Sequence, residues 1–384
     1  MLYGDGKHDD TLELQALLDG CGIVTVERPG TYLVSKTLLI HANTRLICAP
    51  GVHFLAAPMS RCALIENEHF ADGAARDVNI EIVGGIWDGN CDEMGLDGVY
   101  EASHRLDDPY SPALFKGKLL RFAHVDHISL TGLTVRNPVS YGIQIGDVRG
   151  FVTRDLYFDY NWHFGTTDGV HINGPACDGV IENLYGTTND DLVSLTTYDE
   201  AHAEISLGDI ENIYIHNLSA RNGFSSVRLL SGEGYVLRNV RVDGIYGDYR
   251  HHAVVISNHN RRPGRVWFDD LVLENIHACK SATPLGEGCF RMWEKGADRC
   301  AFLCFDKGAI CGSVTVRNVH RHQEISSESP LFFLAEDCSI DRLMLDNIHQ
   351  TTGEGATAPL WKIRGKIGTC IERDVMHEVE EKRL

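Results

Sequence analysis

The sequence predicts an all-β chain, a right-handed single-stranded parallel β-helix with an N-terminal capping helix. Three observations predict it. An apolar–x–apolar–x–Asn/Gly unit recurs, clearest as Leu133-Thr-Val-Arg-Asn137, Leu218-Ser-Ala-Arg-Asn222, Val240-Arg-Val-Asp-Gly244, Leu271-Val-Leu-Glu-Asn275, Val314-Thr-Val-Arg-Asn318 and Leu343-Met-Leu-Asp-Asn347. Weaker copies begin at Leu156 and Leu184. The spacing is uneven: 22 residues separate Leu218 from Val240, and 43 separate Leu271 from Val314. A fixed strand with variable loops is the mark of a solenoid. Finally, the alternation lasts four or five residues, which makes short strands rather than helices.

From the N-terminus, Asp9, Asp10 and Thr11 are suited to cap a helix, and Leu14, Leu17 and Leu18 fall on one face of it. Such a helix, within a cap of residues 1–22, covers the bare end of a strand stack. The first strands follow in GIVTVERPGTYLVS and TRLICAPGVHFLAA. The recurring asparagines are expected at turns, with stacked amides bonding to one another. Residues 92–118 and 279–299 read as long loops that wall a binding face. The 366–384 tail is charged, and Glu372–Arg383 is expected as a short helix or frayed end. The whole of residues 1–384 reads as one β-helix domain.

The formal net charge of −19 disfavours nucleic acid and anionic membranes as partners. Hydrophobic content of 43% contains no apolar run of membrane-spanning length. The start MLYGDGKHDD has no apolar leader, so a cytoplasmic location is expected. The twelve cysteines form no CxxC pair and no zinc-like Cys/His spacing, Cys300 and Cys304 being the nearest to a motif. Buried thiols in a reducing compartment are expected, with no cofactor and no metal.

Three coils overlay by their apolar pairs: Val170 with Ile172, Val193 with Leu195, Val227 with Leu229. Alternation then sends His171, Ser194 and Arg228 outward in a column that Gln144 extends backwards. A second outward column holds Asp168, Asp191 and Ser225, with Asp190 beside it. Coils stack at about 4.8 Å, so the three aspartates share a flank expected to face solvent. Three mutually repelling carboxylates fit general acid–base catalysis, strand-end turns or a calcium site.

These residues resemble a known family. Gly4-Asp-Gly-x-x-Asp-Asp-Thr11 with Gln15 and Cys21, then Pro29-Gly-Thr-Tyr-Leu-Val-Ser35, resembles the N-terminal region of polygalacturonases, the family 28 glycoside hydrolases. Thr166-Thr-Asp-Gly169 and Asn189-Asp-Asp191 are similar to that family's two acidic motifs, one coil apart. The resemblance covers roughly residues 4 to 350. It implies an inverting hydrolase of a cell-wall polysaccharide or oligosaccharide, with Asp190 as general acid and Asp168 and Asp191 activating water. An acid–base separation of about 6.5–9.5 Å goes with inversion.

The departures bear on the substrate. Phe224 stands where the family has a histidine, and Ala253-Val-Val-Ile-Ser257 lacks the family's Arg-Ile-Lys carboxylate clamp. Thr166 replaces an Asn, and His171 an Asp. His171, Arg228, Gln144, Ser194, Tyr141, Trp162, His251 and His252 are the candidate substrate-binding residues, Arg250 begins the coil of the last two, and Trp293 is a further stacking candidate. A carbohydrate substrate other than standard polygalacturonate is expected. The alternatives are a calcium-dependent polysaccharide lyase with Arg228 as base, and a non-catalytic carbohydrate-binding β-helix.

Overall fold

The computed structural model describes residues 1–71, 73, 75–95, 118–198, 205–232, 234–258, 267–290 and 300–379. Across them the chain winds as a parallel β-helix. Each strand pairs in parallel with strands one coil before and one coil after, from Asp5–Asp9 to Lys366–Val379. The interior is a stack of apolar side chains. Ile143 and Ile145, Val170 and Ile172, Val193 and Leu195, Val227 and Leu229, Val254 and Ile256 lie directly above one another and are fully buried. Their burial is the main stabilising term, because each coil covers its neighbour's apolar face.

The capping helix spans Thr11–Leu18. Thr11, Leu14 and Leu18 face inward, and Val24, Val26, Leu38, Leu46 and Phe54 lie beneath. Leu17, expected inward, is 39% exposed, because the helix rolls onto the narrower 11–14–18 stripe. Asp10 holds the N-cap position without a side-chain cap bond, and the preceding Asp9 accepts through Oδ1 from the Thr11 N–H at 3.0 Å. Asp10 accepts instead from the backbone N–H of Tyr3 and Gly4, tying down the strand before the helix.

The recurring sequence unit occupies two places on the coil, not one. Leu156, Leu184 and Leu218 pair in one column, which Ile245 continues. Val240, Leu271, Val314 and Leu343 pair in another, five residues earlier on the coil. The corner between the columns carries the expected amide stack. Asn183 donates to Asp155 (2.8 Å), Asn217 to Asn183 (2.8 Å), Asn318 to Asn275 (3.1 Å) and Asn347 to Asn318 (3.1 Å). These residues sit at positive φ, a region Asn tolerates better than most residues. Where Gly244 interrupts the stack, Asp243 accepts from Asn275 at 2.6 Å.

The C-terminal segment corrects the expectation of a helix or frayed tail. Lys366–Val379 is a strand paired along its length with Ser339–Thr352. Its alternation places Ile367, Cys370 and Val375 above Ile340, Leu343 and Ile348, so the solenoid register extends through a charged sequence. The expectations for residues 96–117, 291–299 and 380–384, Trp293 included, lie outside the described residues. Among the described residues no helix is long and apolar enough to cross a membrane.

Candidate functional site

The overlay of the three coils sets the site. Gln144 lies opposite His171, His171 opposite Ser194, and Ser194 opposite Arg228. The Asp191 backbone N–H donates to Asp168 Oδ1 at 3.0 Å, and the Gly169 N–H donates to the Asp191 carbonyl at 2.9 Å. Asp168 and Asp191 are therefore neighbours on adjacent coils. One oxygen from each of Asp168, Asp190 and Asp191 lies within 4.8 Å of the other two.

The flank is not the open one expected. Asp168, Asp191 and His171 are only 3%, 2% and 2% exposed, and Asp190 alone of the trio is half-buried. The cause is a layer of side chains on the strands. Tyr141 stacks flat on His171, ring centroids 4.2 Å apart at 6°. His171 Nδ1 lies 2.6 Å from Asp168 Oδ2, so with Oδ1 taken by the Asp191 amide both Asp168 oxygens are engaged. Arg228 Nε donates to Asp191 Oδ2 at 2.5 Å.

That pair answers the repulsion among the carboxylates. Burial works against the Arg228 charge, yet Asp191, Asp190 and Asp168 together hold its pKa above the usual arginine value. The guanidinium is thus inside the field of all three aspartates. On the other side, Gln144 donates to Asn173 Oδ1 at 2.8 Å, and Asn173 Nδ2 lies 3.5 Å from His171 Nε2. A polar chain runs Gln144–Asn173–His171–Asp168–Asp191–Arg228. Each link of this chain restricts the rotamers of its two members. Ser194, also buried, pairs with Thr196 at 3.2 Å.

Asn189, just before the two aspartates, is clamped from three sides. It donates to the carbonyls of Phe164 (2.8 Å) and Phe290 (3.0 Å), and its Oδ1 accepts from Arg250 at 2.8 Å. Arg250 lies over the faces of Trp162 (4.6 Å) and Phe224 (5.5 Å). One face of Trp162, a candidate for sugar stacking, thus carries a guanidinium. Phe290 also donates its N–H to the Trp162 carbonyl at 2.7 Å, which holds residue 290 against Trp162 and Asn189.

His251 and His252 sit beyond Phe224, whose ring stacks on His251 at 3.9 Å. Burial pushes His251 down to about 2 and His252 down to about 3, and the charges of Lys280 and Arg228 push the same way. Two clusters on this flank have metal-ligating side chains: the three aspartates, and His251, His252 and Cys300. In the first, Arg228 already supplies a cation, which disfavours the six to eight oxygen ligands calcium takes. Asn173 and Lys280 also belong to the site, and sequence reasoning missed both. Asn173 was findable, since alternation puts it on the same side as His171. Lys280, which donates to the Arg250 and His251 carbonyls, left no local signal.

No family model matches the sequence, and no curated protein matches it. Solved structures match in fold. The family 28 exopolygalacturonase of Yersinia enterocolitica is 16% identical over 98% of this chain and 76% of that one, with a TM-score of 0.60. The surface adhesin PfbA of Streptococcus pneumoniae is 14% identical over 98% and 91%, with a TM-score of 0.58. The A-module of the mannuronan C-5 epimerase AlgE6 of Azotobacter vinelandii is 14% identical over 97% and 97%, with a TM-score of 0.55. One fold carries three different activities, so the choice among them rests on the site.

Proposed function

We propose that this chain is a glycoside hydrolase that cleaves an O-glycosidic bond of an oligo- or polysaccharide with inversion. Asp190 is the general acid, and Asp168 and Asp191 activate the attacking water. The observation that carries the reading is the carboxylate trio, gathered within 4.8 Å and braced by Arg228 and His171. Gathering three acids, two of them buried, is costly for a scaffold that only binds, and each brace costs further side-chain ordering.

The division of roles follows from the contacts. Asp190, the least buried, is the one a sugar can reach. Asp168 and Asp191 are held in place by the His171, Asp191 N–H and Arg228 contacts, as groups that position a water must be. Asp191 Oδ1 is buried and has no protein hydrogen-bond partner, which leaves one acceptor for a proton of the attacking water. In the step, Asp190 gives its proton to the leaving oxygen as the glycosidic C–O bond breaks. Water attacks the anomeric carbon and gives its proton to the Asp168–Asp191 pair.

The trio is tighter than the ~6.5–9.5 Å usual for inversion, so the water enters beside Asp191 Oδ1, not on the line between acid and base. That short separation favours a second reading, retention with Asp191 Oδ1 as nucleophile, since retaining pairs lie ~5–5.5 Å apart.

The positions that follow Arg228 outward are Val255, Cys304 and Phe333, and Lys362 comes next. Without a basic residue in the three coils beside Arg228, a neutral or small sugar suits the groove better than a polyuronate. All twelve cysteines are outside disulfides, in keeping with action in a reducing cytoplasm.

The test is a panel of reducing-end and nitrophenyl glycosides with wild type and Asp190→Asn. The variant is expected to lose ~10²–10⁴-fold in kcat on natural leaving groups, and less on nitrophenyl ones, which depart without a proton. Full activity in Asp190→Asn removes the general acid. Early-time NMR of the product anomers separates inversion from retention. Sugar binding with no turnover moves the chain to the non-catalytic class, and chelator-sensitive formation of an ultraviolet-absorbing product moves it to the lyases.

A further inference from the structure

We infer that His251, His252 and Cys300 form a three-ligand site for a borderline-soft divalent cation, zinc in the first instance, two coils along the groove from Asp190. The backbone pairing makes the placement definite. His251 N–H donates to Phe224 O, Ser226 N–H to His252 O, and Val254 pairs with Leu303, so each coil brings the next residue of the column alongside. Two coil spacings of ~4.8 Å separate the column positions of Asp190 and His251.

Three features single out this cluster. The ligand atoms of all three residues lie within 4.8 Å of one another. Cys300 Sγ lies 3.6 Å from His251 Nδ1. A tetrahedral zinc with Zn–S ~2.3 Å and Zn–N ~2.05 Å sets the S···N edge at about 3.5 Å. The pair therefore needs almost no movement to share an ion.

The second ring is oriented as a ligand. His252 Nδ1 lies 2.6 Å from the Ala301 carbonyl. A proton on Nδ1 makes that bond and leaves the Nε2 lone pair for a metal, the outer-shell arrangement found in most metal-bound histidines. His251 is held by ring stacking instead, between the Phe224 face and the edge of His252. Two imidazoles and a thiolate select zinc or a similar ion over calcium and magnesium, and three protein ligands leave a fourth position open. The thiolate also offsets the nearby cations, of which Lys280 is turned to the Arg250 and His251 carbonyls. The ion pins Cys300 to the preceding coil. This inference does not depend on the hydrolase reading.

The test starts from full-length protein stripped by chelator and returned to chelator-free buffer. Zinc chloride is titrated against a chromophoric chelator, and cobalt(II) is then used as a spectroscopic stand-in. One equivalent of zinc is expected, with a thiolate-to-cobalt charge-transfer band and the strong visible bands of tetrahedral cobalt. Cys300→Ser is expected to abolish the charge-transfer band. Cys300→Ser and His252→Ala are each expected to weaken zinc by more than the ~10-fold that losing an outer-shell partner costs. Cys370→Ser, an exposed thiol elsewhere, leaves both readouts unchanged. Less than one equivalent bound by wild type, or a band that survives Cys300→Ser, overturns the site. Iodoacetamide labelling of wild type, read by peptide mass, tests the Cys300 ligand without any substitution. Zinc should slow alkylation of Cys300, and equal labelling with and without zinc refutes the proposal.

Discussion

Replacing Arg228 by methionine keeps the length of the side chain and removes the one cation inside the carboxylate trio. At 4.8 Å and an effective dielectric near 20, each pair of aspartate charges repels by about 3.5 kcal/mol. Three such pairs exceed much of the ~5–15 kcal/mol that holds a typical fold together. Removing one partner of a buried ion pair costs about 3–5 kcal/mol, and Asp191 at 3% side-chain exposure is such a case. Arg228→Met is thus expected to lose about 3–5 kcal/mol at pH 7.5. Urea unfolding of wild type and variant at pH 7.5 measures it. A loss below 1 kcal/mol would refute the claim that Arg228 neutralises the trio.

Two further predictions concern the frame of the molecule. Asn275 sits at φ 56° between Asp243 and Asn318 in the amide stack. Asn275→Ala is expected to cost about 2 kcal/mol, from the left-handed backbone and the broken stack, and Asn275→Gly about 1 kcal/mol, since glycine accepts the backbone. Equal losses would show that the backbone conformation contributes nothing. The Glu68 carboxylate, and after it Asp19, raise the His41 pKa above 6.5. The stability this contributes is complete below about pH 6.5 and disappears as pH rises through the raised value. Both acidic partners are exposed, so the term is a few tenths of a kcal/mol. Thermal melts of His41→Gln should fall below wild type at pH 6 and coincide with it at pH 8.5; a gap that persists at pH 8.5 rules out the charge.

The sequence by itself determined the class of fold, the corner asparagines and the stacking of Asp168 on Asp191. All three follow from local alternation, which fixes which side of a strand a residue occupies. Register within the coil was less legible. Copies of the repeat from two different columns look alike, because both are an apolar pair before a left-handed corner, and only strand pairing tells them apart. The C-terminal strand was hidden for a related reason: its charged sequence is held by backbone pairing with the coil before it. The site shows the same division. Placing the aspartates together required only counting, whereas their burial, the arginine on Asp191, the guanidinium covering Trp162 and the meeting of Cys300 with His251 and His252 depend on segments far apart in the chain. Distance along a sequence carries no record of which coil lies beside which, and that adjacency decided the electrostatics of the site.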